Sequence, residues 1–450
     1  MTNRLGEEKI HSLLWELSIP AILGMVSSAV FNIVDRYFVG KIDPLALSGV
    51  GITMPIQILQ MAVVLLIGIG ASTLISIRLG EGEKQEAEDV LWLSFKYIIL
   101  TMTIFSILFL LFEKNIWDWL SVSDEVYPFA RSYILILIIG SIVGLPGYCL
   151  NNSLRSIGRA KITMNAILGS SVLNMVLDPL FIFVFDMGVA GAAIATVISQ
   201  IALTIYITWY FIRTKGLDIH LKFRKPQGEF ALLKEIFYKG SPTFYVQILA
   251  TFMSAYVNRS FIEYGSDLEI ASLTIISTIF NFYHLILIGI VHGNQPIVGY
   301  NWGSRQYDRV CRSLELSVLY ASGISLFFFV LVQWRAGFFV SFFTEDPSLI
   351  KIASSGMRLY LLAIPLLGAQ VIGAQYFQSV GKSKRSSFLL FLRYGIIVVP
   401  SIMILAPRMS AKGIYLSNAI SDLVASVITI GFIAVEIKGL KKLYDEKQKI

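Results

Sequence analysis

Apolar runs of about twenty residues or more recur along this chain, separated by short polar connections. Twelve can be marked off: roughly 14–36, 49–78, 91–112, 131–154, 162–185, 189–212, 233–261, 271–300, 312–334, 351–379, 386–406 and 412–436. A helix rises about 1.5 Å per residue, so each run is long enough to cross a hydrocarbon layer of about 30 Å. No water is available there to bond backbone amides, which leaves helices as the economical solution. The pattern therefore predicts an all-α membrane protein of twelve transmembrane helices.

The runs repeat. Asp35-Arg36-Tyr37-Phe38 aligns with Asn258-Arg259-Ser260-Phe261 at an offset of about 223 residues, which also carries Gly80 onto Gly303 and Ser156-Ile157-Gly158 onto Ser379-Val380-Gly381. An offset one shorter carries Pro20 onto Pro242, Gly191 onto Gly413 and Ser199 onto Ser421. Six spans per copy is an even number, so both copies enter the membrane in the same direction. That predicts two six-helix lobes related by a pseudo-two-fold axis along the membrane normal. Residues 1–215 form the expected N-terminal lobe, 216–232 a polar linker and 233–450 the C-terminal lobe. Two like-oriented lobes suit a cleft that opens alternately to either side.

Composition narrows the reading. The chain is 55% hydrophobic and 15% charged, with a mean hydropathy of +0.70. Its net charge of +7 is topological rather than a sign of nucleic acid. Lysine and arginine gather in alternate loops, among them Arg155, Arg159 and Lys161, then Lys222, Arg224 and Lys225, then Lys382, Lys384 and Arg385. By the positive-inside rule those loops and both termini are cytoplasmic. Two cysteines, Cys149 and Cys311, supply neither a disulfide framework nor a metal-ligand spacing. The first span ends in no convincing cleavage site and is expected to stay as an anchor. Gly68-Ile69-Gly70 lies within a span and lacks the setting of a phosphate loop. With no segment large enough for an ATPase, uphill transport would run on an ion gradient or on a separate subunit. No paired histidine, Ser-Lys or Cys-His set marks an intramembrane enzyme, and no cofactor is expected.

Intramembrane carboxylates are costly and functional by default. Asp35 lies about four residues, roughly 6 Å, from the outer end of span 1, and Asp178 roughly 10 Å from the end of span 5. Thr196 sits roughly 10 Å into span 6, and Asn174 is one helical turn before Asp178. Four oxygen-bearing groups on three helices thus share one depth, which suits Na⁺ or a proton shared by two carboxylates. The mirrored positions are Asn258, Ile397, Ser401 and Asn418, with no carboxylate among them. Coupling is therefore expected in one lobe. Two plainer readings stand beside it: Asp35 paired with Arg36, and Asp178-Pro179 as a local bond relieving a proline-bent helix.

The segments carrying these residues resemble a known family. Phe31-Asn32-Ile33-Val34-Asp35-Arg36-Tyr37-Phe38-Val39-Gly40 resembles the first-helix signature of the multidrug and toxic compound extrusion (MATE) family. Asn174 to Phe183 is similar to its fifth-helix signature, and Gln295-Pro296-Ile297-Val298-Gly299-Tyr300-Asn301-Trp302-Gly303 to the end of its eighth helix. The resemblance, to the prokaryotic DNA-damage-inducible-like branch, implies a multi-pass antiporter of the bacterial or archaeal cytoplasmic membrane. It would export bulky, often cationic or amphiphilic organic compounds in exchange for H⁺ or Na⁺, as a monomer. A lipid-linked oligosaccharide flippase of the same superfamily is the alternative. The resemblance further implies a shared Na⁺/H⁺ site at Asp35, Asn174, Asp178 and Thr196, with bending at Pro20 on protonation; Pro179 is a second bending position. Other branches carry an acidic residue in the seventh or tenth helix, where this chain has Gln247, Asn258, Gln370 and Gln375. Asn151, Asn281 and Gln295 are candidate substrate-cavity groups. Asp422, roughly 16 Å deep in span 12, is either structural or substrate-facing. His284 and His292 read as packing histidines.

Overall fold

The computed structural model describes residues 2–448; the chain ends expected on the cytoplasmic side, Met1 and Lys449–Ile450, lie outside the described residues. All described secondary structure is helical. The first repeat runs α1 (Thr2–Glu7), α2 (Ile10–Gly40), α3 (Pro44–Ile52), α4 (Met54–Glu81), α5 (Lys84–Leu111), α6 (Glu113–Leu120), α7 (Tyr127–Gly144), α8 (Pro146–Ser156), α9 (Ala160–Pro179) and α10 (Gly188–Arg213). The second runs α11 (Glu229–Tyr264), α12 (Asp267–Gly303), α13 (Tyr307–Ser341), α14 (Pro347–Tyr360), α15 (Ile364–Ser379), α16 (Ser383–Phe391), α17 (Val398–Met409) and α18 (Ala411–Gln448).

Among the described residues ten helical segments, one of them α16 continued through its π-turn into α17, are long and apolar enough to cross a membrane, and α14 with α15, bent by 53°, makes an eleventh. The expected seventh span is α11. It has the length, 36 residues, but Gln247, Thr251, Ser254 and Asn258 dilute its apolar character. Proline breaks two runs that read as continuous. Pro146 opens α8 and Pro365 is the second residue of α15; a proline has no N–H to give the preceding turn. The fifth and eleventh runs each contain a wide π-turn, Leu180–Val184 and Leu392–Ile397.

The chain divides into two compact units. The N-terminal unit comprises Met1–Leu5 and Leu23–Phe244, the C-terminal unit Gly6–Ile22 and Tyr245–Ile450. Both divisions fall inside continuous helices, two residues after the mirrored prolines Pro20 of α2 and Pro242 of α11.

In the N-terminal unit, Ile134, Ile138, Ala130, Ala192 and Ala193 of α7 and α10 form part of a buried core. The first half of α11 crosses α4 at two glycines. A Cβ on Gly240 would lie 1.8 Å from the Leu66 carbonyl oxygen, and one on Gly70 2.0 Å from that of Ile236. Small residues let helix backbones approach where lipid offers no hydrophobic drive. Gly82, at φ +84°, ends α4. The connection between α10 and α11 docks on the start of α5: Leu217, Ile219 and Leu221 are buried. Glu88 there holds Lys222 at 2.8 Å and Asp89 holds Arg224 at 2.6 Å.

In the C-terminal unit, α12, α13, α15 and α18 share a core that includes Tyr283, Leu287, Leu314, Tyr376 and Ile414. Here the first half of α2 is the closely packed partner, with Gly293 of α12 against Ser18 and Gly289 against Ile22. Ser266 starts α12 with a capping box: its side chain and Glu269 bond reciprocally to the first turn. Near its end α18 carries Glu436, buried against Lys382, with Arg385 at 3.0 Å and Tyr376 at 3.3 Å.

Candidate functional site

Pro179 closes α9 and is followed at once by the π-turn, with Phe185 N–H bonded to Leu180 O at 3.0 Å. Just before it, Asn174 and Asp178 lie one turn apart on one helical face, and both are buried. With its nitrogen toward Asp178, the Asn174 amide donates to Asp178 Oδ2 at 2.9 Å and accepts from Thr196 N–H at 3.2 Å. Thr196 of α10 is half-buried beside it. Asp35 of α2 is 7% exposed, and its Oδ1 has no hydrogen-bond partner. The two carboxylates are close enough to repel one another, and Tyr133 of α7 interacts electrostatically with both.

Asp35, Asn174, Asp178 and Thr196 thus belong to one unit. Asn174 bridges Asp178 to Thr196, and the two carboxylates sense each other. The Arg36 guanidinium is exposed and its hydrogen bond goes to Met54 Sδ at 3.7 Å rather than to Asp35. A buried carboxylate oxygen with no donor is expensive, and a proton or a cation would relieve it. Tyr133 had no sequence signal, since an intramembrane tyrosine is ordinary core until its neighbours are known.

The remaining candidates scatter. Pro20 sits inside α2 with helical backbone on both sides. Asn151 of α8 is buried with Oδ1 unpartnered. Asn281 of α12 is exposed and Gln295 of the same helix buried. Asp422 of α18 is buried in the C-terminal unit, where it accepts from Arg393 Nε at 2.6 Å. Arg393 stands on the π-turn after α16 and gives Nη1 to the Tyr394 hydroxyl at 2.9 Å. Its guanidinium lies 4.7 Å from the Tyr394 ring centroid and 5.9 Å from that of Phe280. Opposite charges in neighbouring spans are a readable hint of such pairing; the aromatic surround is not. Among the described residues no group of three or more His, Cys, Asp or Glu could hold a metal ion.

The repeat offset puts Ser170 opposite Arg393 and Ser199 opposite Ser421. Both crossings are hydrogen-bonded, in opposite senses. Ser170 Oγ donates to Ser199 O at 2.8 Å, whereas Ser421 Oγ donates to Arg393 O at 2.6 Å. The second crossing lies at the arginine–carboxylate pair itself.

A family model described as MatE matches residues 20–180 and 242–404, one segment in each repeat. The multidrug export protein MepA of Staphylococcus aureus (strain MRSA252) is 26% identical over 416 residues, covering 92% of this chain and 91% of that one. The protein of the same name from Staphylococcus saprophyticus is 26% identical over 418 residues, covering 91% and 90%. A structure described as the outward-facing conformation of a multidrug resistance MATE family transporter superposes with a TM-score of 0.92 at 23% identity, covering 98% of each chain.

Proposed function

Because the chain belongs to the MatE family, we propose that it is a secondary antiporter that exports bulky organic compounds in exchange for H⁺ or Na⁺ by alternating access. The observation that carries this reading is the Asp35 carboxylate, buried in the membrane with one oxygen unpartnered, beside an Asp178 already engaged by Asn174. Two like charges in a poorly solvated site are relieved by one bound proton or Na⁺. Losing that charge to one side of the membrane couples its gradient to movement of the protein. Thr196 adds an oxygen that favours a metal cation over a proton. The multidrug export named for the MepA relatives supports organic compounds as the cargo. The basic loops support a cytoplasmic location for both termini and the linker; labelling a cysteine introduced into the linker from outside intact cells would contradict that.

Reconstituted vesicles with an imposed pH or Na⁺ gradient and a fluorescent organic cation provide the test. Asp35→Asn and Asp178→Asn should each nearly abolish gradient-driven export while the protein remains in the membrane. Asn258→Ala, the mirrored change, should be mild because it removes no titratable group. Comparable losses from all three would sink the one-lobe coupling site.

A further inference from the structure

Arg393 and Asp422 are over nine-tenths buried within the C-terminal unit, yet their hydrogen-bonding capacity is only half used. Arg393 spends Nε on Asp422 Oδ1 and Nη1 on Tyr394. Among the described residues its Nη2, like Asp422 Oδ2, makes no hydrogen bond. Around them stands an aromatic wall centred on Phe280. The His284 ring stacks on it at 5.8 Å, the Tyr360 ring meets it edge-on at 6.0 Å, and the Arg393 guanidinium lies 5.9 Å from its centroid. The Tyr360 hydroxyl and the His284 nitrogens make no hydrogen bond within the described residues either. Arg393 interacts electrostatically with both rings. None of these atoms is among the fully buried unpartnered ones, so each faces space that water or a ligand can reach. Here donors and acceptors of both signs are left open side by side against flat rings.

We infer that this cluster is a substrate subsite that reads a zwitterionic aromatic compound: an anionic group on Arg393 Nη2 and the Tyr360 hydroxyl, a cationic or N–H group on Asp422 Oδ2, and a planar ring on Phe280 and Tyr394. The inference rests on the export reading above and specifies its cargo. Charge balance provides the selectivity. The site is neutral when empty, since one arginine faces one aspartate. A zwitterion keeps it neutral and adds two charge-assisted bonds, which are about twice as strong as neutral ones. A simple cation would satisfy Asp422 while leaving an excess charge in a poorly solvated site, where an unpaired charge is expensive. Flat rings gain stacking and cation–π contacts without selecting one scaffold, which fits a range of related compounds.

The test uses the full chain in lipid nanodiscs and two dyes differing in one group. Rhodamine B carries a carboxylate and a cationic ring system; its ethyl ester is a cation only. Fluorescence polarisation should show wild type favouring rhodamine B by about ten- to a hundredfold, the range for one to two hydrogen bonds to charged groups. R393Q/D422N removes both charges together and should bring the ratio to about one. Arg393→Gln alone leaves Asp422 unopposed and should invert the preference toward the ester, which general loosening would not do. If the charge variants fail to fold, Tyr360→Phe removes one hydroxyl and should lower the ratio about fivefold. A wild-type ratio near one, or equal losses for both dyes in the variants, overturns the inference. Vesicles separate the two levels. Gradient-driven export of the ester by wild type with a ratio near one leaves the export reading intact and removes only this subsite. Export of neither dye by wild type fails the export reading itself.

Discussion

The closest helix approach within the N-terminal unit should be the least forgiving place for one added methyl group. Gly240→Ala puts a Cβ 1.8 Å from the Leu66 carbonyl oxygen and 2.7 Å from its carbon, whereas ordinary contact begins near 3.4 Å. The first half of α11 and α4 must therefore separate by roughly 1.6 Å at the crossing, because backbone cannot rotate away as a side-chain tip can. A gap of 0.5–1 Å already forfeits about a quarter to a half of a dispersion well. If the crossing holds about as many atom contacts as one buried leucine, losing half of them costs about 2–6 kcal/mol. No hydrophobic term offsets this, since lipid is as apolar as the helices. Gly323→Ala is the matched control: it lies inside α13 with nothing within 4 Å of the added carbon, so it should be neutral or stabilise by up to about 1 kcal/mol through helix propensity. Thermal unfolding of both variants in detergent, followed by tryptophan fluorescence, is the assay. Gly240→Ala should unfold several degrees below wild type and Gly323→Ala at or above it. Equal unfolding temperatures would refute the tight crossing.

Three further outcomes are expected. Thr196→Val keeps the shape but removes one oxygen ligand, so calorimetric Na⁺ affinity should fall by about fivefold to tenfold, from a bond of about 1 kcal/mol, while proton-driven export changes less; because the ions compete, wild-type Na⁺ binding should tighten as pH rises, and affinity constant from pH 5 to 8 would rule out a shared site. Glu88→Gln with Asp89→Asn removes the carboxylates that hold Lys222 and Arg224, so trypsin should cut the connection between α10 and α11 faster, and an unchanged rate would show that its buried leucines suffice. Glu436→Gln leaves Lys382 and Arg385 without their shared buried counter-charge and should cost about 1–3 kcal/mol, seen as a lower unfolding temperature; an unaltered one would mean the cations find other partners.

The sequence by itself determined the class of the molecule. A bilayer forces each run of apolar residues into a helix, and an internal repeat makes the helices two sets of six. Asp35 and Asp178 were legible as candidates because a carboxylate in hydrocarbon is rare enough to need a reason. Asn174 was legible by its one-turn spacing from Asp178, a local property of any helix. What depended on neighbours distant in sequence was not legible. Gly68-Ile69-Gly70 carried no assignable role, yet Gly70 meets Ile236 and Gly68 meets Cys149 and Asn152, contacts that only helix packing creates. The repeat did not show that the divisions between units fall two residues after Pro20 and Pro242, since the boundary is set by which helices each half touches. Asp422 stood between a structural and a substrate-facing role for the same reason. Its partner Arg393 lies 29 residues away on a π-turn that hydropathy cannot register, and the rings around them come from three stretches of chain. Hydrophobic periodicity fixes which residues leave water; only the packed helices decide which polar groups then find one another.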